Sequence, residues 1–148
     1  MADKGYRTSI LVDRSPSEAF RAVNDPRGWW SEEIEGATTK VGDVFTHRFE
    51  EVHRCKIEVS ELTPDRRVVW RVLENYFDFT ADKTEWIGTR IIFEIAPKNG
   101  KTEIQFMHEG LTPQYECFDL CSDAWGSYIR GSLKSLIETG QGHPNRKG

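Results

Sequence analysis

The sequence has no apolar run that approaches the ~20 residues needed for a membrane-spanning helix. Residues 1–6 also lack the apolar stretch of a secretory signal peptide. Cysteine is scarce, because Cys55, Cys117 and Cys121 form an odd set without the regular spacing of a disulfide-rich scaffold. These absences lead us to expect a cytoplasmic protein that does not insert into a membrane.

A predominance of one charge is also missing. The 20 Lys and Arg residues alternate with the 24 Asp and Glu residues, and the formal net charge is −4. Nucleic-acid-binding proteins usually present a basic face, whereas the basic cluster here, Arg146 and Lys147, ends the chain. The chain also lacks a glycine-rich phosphate loop, a nucleophile elbow and an HExxH helix. We therefore predict neither a nucleic-acid partner nor a cofactor.

The composition that remains is that of an ordinary folded protein. Hydrophobic residues make up 37% and charged residues 30%, which is too apolar for a disordered chain. A length of 148 residues falls within the range of about 100–200 residues that is usual for one domain. We predict one domain over residues 1–148, with the last few residues forming a flexible tail.

The first part of the chain predicts a strand, a short helix and then a meander. Residues 6–12 form the first strand, and Ser15 and Glu18 have the spacing of a capping box with Pro16 at the first helical position. Asn24-Asp25-Pro26 ends this helix. From residue 33 to residue 109, apolar and polar side chains alternate between turn signals, which is typical of antiparallel strands.

The last part predicts one long amphipathic helix. Thr112-Pro113 is a helix start, and nothing ends the pattern before Gly140, which corresponds to about 27 residues or roughly 40 Å. Gly126 and Gly131 fall on its polar side. The apolar stripe on the opposite side consists of Cys117, Phe118, Cys121, Trp125, Tyr128, Ile129, Leu133 and Leu136.

Several pieces of sequence resemble one known family in their order and spacing. These pieces include Ser15-Pro16-Ser17-Glu18-Ala19-Phe20, Trp29-Trp30, Gly42-Asp43-Val44-Phe45, Leu62-Thr63-Pro64-Asp65 and His108-Glu109-Gly110. They are similar to the Activator of Hsp90 ATPase homologue 1-like family of the START-like, or SRPBCC, superfamily, and the resemblance covers nearly the whole chain.

The resemblance implies an α+β fold of the helix-grip type, also called START-like or Bet v 1-like. In this fold a curved antiparallel sheet of about six to seven strands surrounds a long C-terminal helix, and short helices follow the first strand. Members of the superfamily include carriers of hydrophobic ligands, cyclase-like enzymes and chaperone cofactors, so the fold does not determine the activity.

Strand parity and the helix stripe direct one set of side chains into the interior. We predict that they line a cavity for a small apolar or lipid-like ligand, with His108 and Tyr128 as its orienting polar groups. In the alternative, side chains already fill this space. The predicted lining residues are Trp30, Phe45, Cys55, Ile57, Trp70, Phe93, Phe106, His108, Cys121, Trp125 and Tyr128.

His108 is the candidate for chemistry, because its parity places the imidazole beside Phe106 on the covered face, where its pKa could be shifted. It could act as a base, but buried histidines are more often paired for structural reasons. His47 and His53, on adjacent strands, could lie near His108. No CxxC-like pair accompanies them, so a metal site is not predicted and the cysteines are interpreted as small core hydrophobes.

The loop of residues 75–86 is rich in aromatic side chains, as is the Trp29-Trp30 pair. These aromatics either close the mouth of a cavity or fasten the loops to the core. Three functions are compatible with the sequence. Binding of a small apolar ligand without catalysis is the leading hypothesis. The alternatives are a chaperone cofactor of the Hsp90 type, which the resemblance implies, and a cyclase-like or hydrolase-like enzyme that uses His108.

Overall fold

The structure is a computed structural model that describes residues 5–81, 83 and 85–145. The basic pair Arg146 and Lys147 therefore lies outside the described residues. The strands are β1 (Gly5–Val12), β2 (Ile34–Gly36), β3 (Val44–Phe49), β4 (His53–Thr63), β5 (Arg67–Phe77), β6 (Arg90–Lys98) and β7 (Lys101–Glu109). The helices are α1 (Pro16–Val23), α2 (Pro26–Trp29), α3 (Phe118–Gly126) and α4 (Lys134–Thr139), with a π-helical segment (Ser127–Leu133) between α3 and α4.

The seven strands form one antiparallel sheet in the order β1-β7-β6-β5-β4-β3-β2. Strands β2 to β7 follow one another as a meander, and β1 joins the far edge by pairing with β7. Register shifts in β4, at Lys56/Ile57 and at Val59/Glu61, are irregularities of the kind that bend a sheet. The predicted α+β fold is confirmed, with seven strands and with two short helices after β1.

The strands alternate as predicted between a buried and an exposed face. In β6 the side chains of Ile91, Phe93 and Ile95 are buried, whereas Arg90 and Glu94 are exposed. The buried residues of β7 are Thr102, Ile104, Phe106 and His108. The three segments of residues 118–139, which we call the C-terminal helix, contribute the apolar side chains that complete the core.

The predicted cap of α1 is also confirmed. The Ser15 hydroxyl accepts the Glu18 amide at 3.2 Å, and the Glu18 carboxylate accepts the Ser15 amide at 3.2 Å. These two bonds satisfy amide groups that the first turn of a helix leaves without partners. The helix ends at Val23, with Asn24 as its C-cap.

The predicted start of the C-terminal helix at Thr112 is wrong, because the helix begins at Phe118. Residues 112–117 form turns instead, in which the Tyr115 amide bonds to the Thr112 carbonyl at 2.9 Å. Glu85, from the loop after β5, accepts the amides of Glu116 at 2.8 Å and Cys117 at 3.2 Å. A carboxylate from a loop that is distant in the sequence thus accepts the amides at the helix start. Local sequence signals do not indicate such a contact.

Gly126 was predicted on the polar side of the helix, but it is buried. A β-carbon at this position would lie 3.1 Å from the Tyr6 hydroxyl and 2.8 Å from the Arg130 guanidinium, so glycine allows a close approach to β1. Gly131 is exposed, as predicted. The π-helical segment changes the rotation of the helix between these glycines, which a uniform 3.6-residue period does not anticipate. Within the described residues, no helix combines the length and the apolar character that crossing a bilayer requires.

Candidate functional site

One part of the interior, which we call the packed end, is filled by aromatic rings from the sheet and from α2. The rings of Trp29 and Trp70 stack with centroids 6.2 Å apart, and the Phe93 ring lies 5.0 Å from Trp70. Phe45 and Phe106 close the cluster at 5.2 Å from Trp70 and Phe93, respectively. These five side chains define the packed end, and each is at most 1% exposed.

A pocket of about 160 Å³ lies at the other end of the interior, and we call it the aromatic pocket. The C-terminal helix contributes Leu120, Cys121, Ala124, Trp125 and Tyr128. Strands β3, β4 and β5 and the β3–β4 turn contribute His47, Phe49, Val52, His53 and Phe77. The remaining walls are Trp30, Phe79 and Trp86. The two ends meet at Trp125, whose ring lies 4.8 Å from Phe106.

The predicted lining residues divide between these two ends. Trp30, Cys121, Trp125 and Tyr128 line the aromatic pocket. The predicted residues that lie in the packed end or elsewhere in the buried core, outside this pocket, are Phe45, Cys55, Ile57, Trp70, Phe93, Phe106 and His108. The structure therefore places a smaller cavity at one end of the space that the sequence predicted. Contact of any of these residues with a ligand stays a prediction.

The aromatic segment of residues 75–86 contributes walls to the pocket and is also fastened to the rest of the protein, so both alternatives from the sequence apply to it. Phe77 and Trp86 are buried and form pocket walls, whereas Phe79 is 38% exposed at the rim. The loop is tied to the turn before the C-terminal helix, because Glu116 accepts the Ala81 amide at 2.8 Å and Glu85 accepts the amides of Glu116 and Cys117. The density of aromatics in residues 75–86 was the signal for these walls. The sequence did not predict that His47 and His53 line the pocket, because their pattern suggested only a possible metal site.

His108 is completely buried, and both of its ring nitrogens are hydrogen-bonded. Trp125 Nε1 donates to His108 Nδ1 at 3.0 Å. Thr89 Oγ1 lies 2.8 Å from His108 Nε2 and donates its own proton to the Trp86 carbonyl at 2.6 Å. We therefore assign the proton of His108 to Nε2, which donates to Thr89.

This arrangement gives His108 a structural role. Burial, with a smaller contribution from His53, lowers its pKa to about 3. A neutral imidazole with both nitrogens bound to protein groups has no free lone pair for a substrate proton. His108 lies behind the rings of Trp86 and Trp125, whose centroids are 4.7 and 5.9 Å away.

The two histidines that line the pocket are also buried. His53 Nε2 lies 2.8 Å from Asn75 Oδ1, and burial lowers the pKa of His53 to about 4. His47 stacks on Trp30 with a centroid distance of 4.1 Å. Burial, followed by the nearby His53, places the pKa of His47 well below its usual range. Both pocket histidines are therefore neutral at pH 7, and the walls formed by described residues carry no charge.

The three cysteines are free thiols in the core. The hydrogen bond with Cys117 and then burial raise the pKa of Cys121, and burial raises the pKa of Cys55. Cys55 and Cys121 therefore remain protonated, whereas a thiolate is needed for nucleophilic attack or metal binding. Within the described part of the chain, no three His, Cys, Asp or Glu side chains form a group that could hold a metal ion.

Residues 13–138 match the model of the family described as Activator of Hsp90 ATPase homolog 1-like protein. The chain belongs to this family. The match begins just after β1 and ends one residue before the end of α4, so it includes every wall of the aromatic pocket. None of the curated proteins matches the chain in sequence.

Several solved structures share the fold. The Aha1 dimer from Colwellia psychrerythraea is 24% identical with a TM-score of 0.74, and the match covers 93% of this chain and 98% of that chain. Protein MLL2253 from Mesorhizobium loti is 13% identical with a TM-score of 0.72, and the match covers 90% and 96% of the two chains. CalU16 from Micromonospora echinospora is 15% identical with a TM-score of 0.62, covering 93% and 74%. Identities this low establish the fold but not a shared activity.

Proposed function

We propose that this protein binds a small apolar molecule in the aromatic pocket. The observation that carries the proposal is an apolar cavity of about 160 Å³ at one end of an otherwise packed interior. The pocket is partly open to the surface, where Leu120 and Phe79 are exposed, so a small molecule can reach its buried walls. The pocket is bounded by rings and aliphatic side chains, which is typical of ligand sites.

The size of the pocket narrows the class of ligand. An engineered cavity of about 150 Å³ with apolar walls binds benzene, whereas drug-sized ligands occupy pockets of about 300–1,000 Å³. The aromatic pocket, at about 160 Å³, is close to the first of these. The geometry therefore favours a molecule the size of one ring over the lipid-like chain that the sequence also allowed.

The rim of the pocket gives an apolar route from the surface. Leu120 is 58% exposed and Phe79 is 38% exposed, and both line the pocket. Large hydrophobic side chains that remain exposed beside a cavity are typical of ligand-binding openings. A ligand that enters between them leaves water for apolar walls, and this transfer is the driving force for binding.

The test is to reduce the pocket volume without disturbing the fold. We expect saturation-transfer NMR and thermal shift measurements to detect binding of small aromatic compounds by the wild-type protein. Ala124→Leu places extra carbon atoms in the pocket, and we expect it to weaken binding by at least about tenfold. Ser127→Leu introduces the same leucine side chain at an exposed position on the same helix and should bind like wild type. Equal affinities for wild type and Ala124→Leu would contradict the proposal.

A second candidate function is that of a chaperone cofactor. It is favoured by the family to which the chain belongs and by the likeness to the Aha1 dimer. The test is the ATPase rate of purified Hsp90 with and without this protein, and an unchanged rate at saturating concentration would exclude activation. Catalysis by His108 is not proposed, because both of its ring nitrogens are already bound to protein groups.

A further inference from the structure

We propose that the ligand of the aromatic pocket is an uncharged molecule with one aromatic ring and one hydroxyl group, held by a hydrogen bond to His47. This inference rests on the proposed function, since it assumes that the pocket binds a small molecule. A simple phenol has the required chemistry.

His47 is the polar group of the pocket that is least satisfied by the protein. Its side chain is 2% exposed and faces inward from β3. The Trp30 ring stacks on one side of the imidazole, and the His53 ring lies edge-on at a centroid distance of 5.1 Å. Among the described residues, Nδ1 of His47 has no hydrogen-bond partner. A buried polar atom without a partner costs free energy, which a ligand with a matching group recovers.

Several other polar atoms of the pocket walls are already engaged. His53 Nε2 is paired with Asn75, and Trp125 Nε1 donates to His108. The Tyr128 hydroxyl accepts the Asn145 amide at 2.7 Å. Trp86 Nε1 is the second wall atom that lacks a partner within the described chain. Hydrogen-bond recognition is thus concentrated at His47, with the Trp86 indole N–H as a further donor.

A hydroxyl group can bond to Nδ1 in either tautomer of His47. It donates when Nδ1 carries a lone pair, and it accepts when Nδ1 carries the proton. An amine of ordinary basicity or a carboxylate would enter as an ion. Burial of an ion without a partner is far more costly than burial of a hydroxyl.

The walls also exclude a charged ligand. None of the described residues that line the pocket is Asp, Glu, Lys or Arg. Burial lowers the pKa of both pocket histidines, so they supply no positive charge for a carboxylate at pH 7. Aromatic walls can attract a cation, but here no anionic group is present among them to compensate the loss of hydration.

An aromatic ring is favoured over an aliphatic one by the arrangement of the walls. Trp86 and Trp125 are nearly parallel, with centroids 5.8 Å apart and an angle of 13° between the ring planes. Phe77 stands perpendicular to Trp86 at 5.4 Å. Rings at these distances and angles offer both faces and edges to an additional ring, and such contacts add to the effect of burial alone.

The test compares p-cresol with toluene, which differ by one hydroxyl group, by calorimetry on the full chain. We expect wild type to bind p-cresol at least tenfold more tightly than toluene. If the pocket offered no partner for the hydroxyl group, toluene would bind more tightly than p-cresol, because the hydroxyl group would lose its hydrogen bonds to water. His47→Phe keeps a ring to stack on Trp30, and we expect it to remove the preference for p-cresol while toluene still binds. His143→Phe replaces an exposed histidine outside the pocket and should retain the preference.

A spectroscopic measurement on wild type keeps the inference testable if His47→Phe does not fold. In ¹⁵N NMR spectra of the imidazole groups, p-cresol should shift Nδ1 of His47, and toluene should not. Toluene bound as tightly as p-cresol would overturn this inference and leave the proposed function standing. Tighter binding of benzyltrimethylammonium would overturn it in favour of a cation site. If other small apolar molecules bind in the pocket but neither p-cresol nor toluene competes with them, the inferred ligand class is wrong. If no small molecule binds in the pocket, the proposed function is wrong as well.

Discussion

The packed end and the aromatic pocket are built from similar residues but differ in how tightly they are filled. Both consist mainly of tryptophan and phenylalanine rings between the sheet and helical segments. In the packed end, Trp29 packs against Trp70 and Phe93 at centroid distances of 6.2 and 5.9 Å. At the other end, the C-terminal helix, strands β3 to β5, the β3–β4 turn and the loop after β5 surround a pocket of about 160 Å³.

This difference shows that hydrophobic composition alone does not produce a cavity. Regular strands pack against Trp29, because their inward side chains are spaced evenly and can interdigitate. Ring pairs at the pocket end are as close, with the centroids of Phe77 and Phe79 4.9 Å apart and those of Trp86 and His108 4.7 Å apart, so the pocket depends on how the rings are arranged around it and not on looser contacts between pairs. The two ends also differ in their histidine content. His47 and His53 line the pocket and His108 lies behind it, whereas the five rings that define the packed end include none.

The largest expected effect comes from opening the packed end. Trp70→Ala removes a completely buried ring that contacts Trp29, Phe45 and Phe93. We expect a loss of about 3–5 kcal/mol in the free energy of unfolding, from lost burial and from the cavity left behind. Urea denaturation measures this loss.

Leu120→Ala is the matched change at the pocket rim. Because Leu120 is 58% exposed, we expect the free energy of unfolding to change by no more than about 0.5 kcal/mol. Similar losses in the two variants would contradict the distinction between the packed end and the pocket.

Acid should destabilise the protein through the pocket end. The pKa values of His53 and His108 are lowered to about 4 and about 3, and that of His47 is also lowered, all mainly by burial. Below the unfolded pKa of about 6.5, the unfolded chain binds protons that the folded protein does not bind. Stability is therefore complete above that value and decreases as the pH falls toward the folded pKa values.

Between pH 7 and pH 5.5 we expect a loss of roughly 1 kcal/mol for each of these three histidines. Urea denaturation at several pH values measures the slope, and carboxylates contribute little in this range because they titrate at lower pH. A stability that is constant from pH 7 to pH 5.5 would show that the buried histidines accept protons in the folded state.

A smaller effect than that of Trp70→Ala is expected at the boundary between the two ends. Thr89→Val conserves shape but removes the hydroxyl that accepts from His108 and donates to the Trp86 carbonyl. A buried Nε2–H is left without a partner, and we expect a loss of about 1–3 kcal/mol. Thr46→Val, on the exposed face of β3, serves as the control and should change stability by about 0.5 kcal/mol or less. Equal stability of Thr89→Val and wild type would show that His108 does not depend on this bond.

Local patterns in the sequence were enough to predict most of the fold. The cap formed by Ser15 and Glu18 and the alternation of Ile91, Phe93 and Ile95 each depend on residues within a few positions of one another. The helix start at Phe118 could not be predicted in this way, because Glu85 lies 31 residues before Glu116, whose amide it accepts. Gly126 was misplaced because its burial comes from Tyr6 on β1, which is 120 residues away in the sequence.

The sequence by itself determined the α+β class, the order of the elements, the inward face of each strand and the aromatic character of the interior. These properties follow from side-chain periodicity and from local capping and turn chemistry. Only the tertiary structure decided that rings fill one end of the interior, that both nitrogens of His108 are bound, and that His47 lines the remaining pocket without a partner for Nδ1. These outcomes depend on distances between side chains from separate parts of the chain, and such distances are set only when helix, sheet and loops pack together.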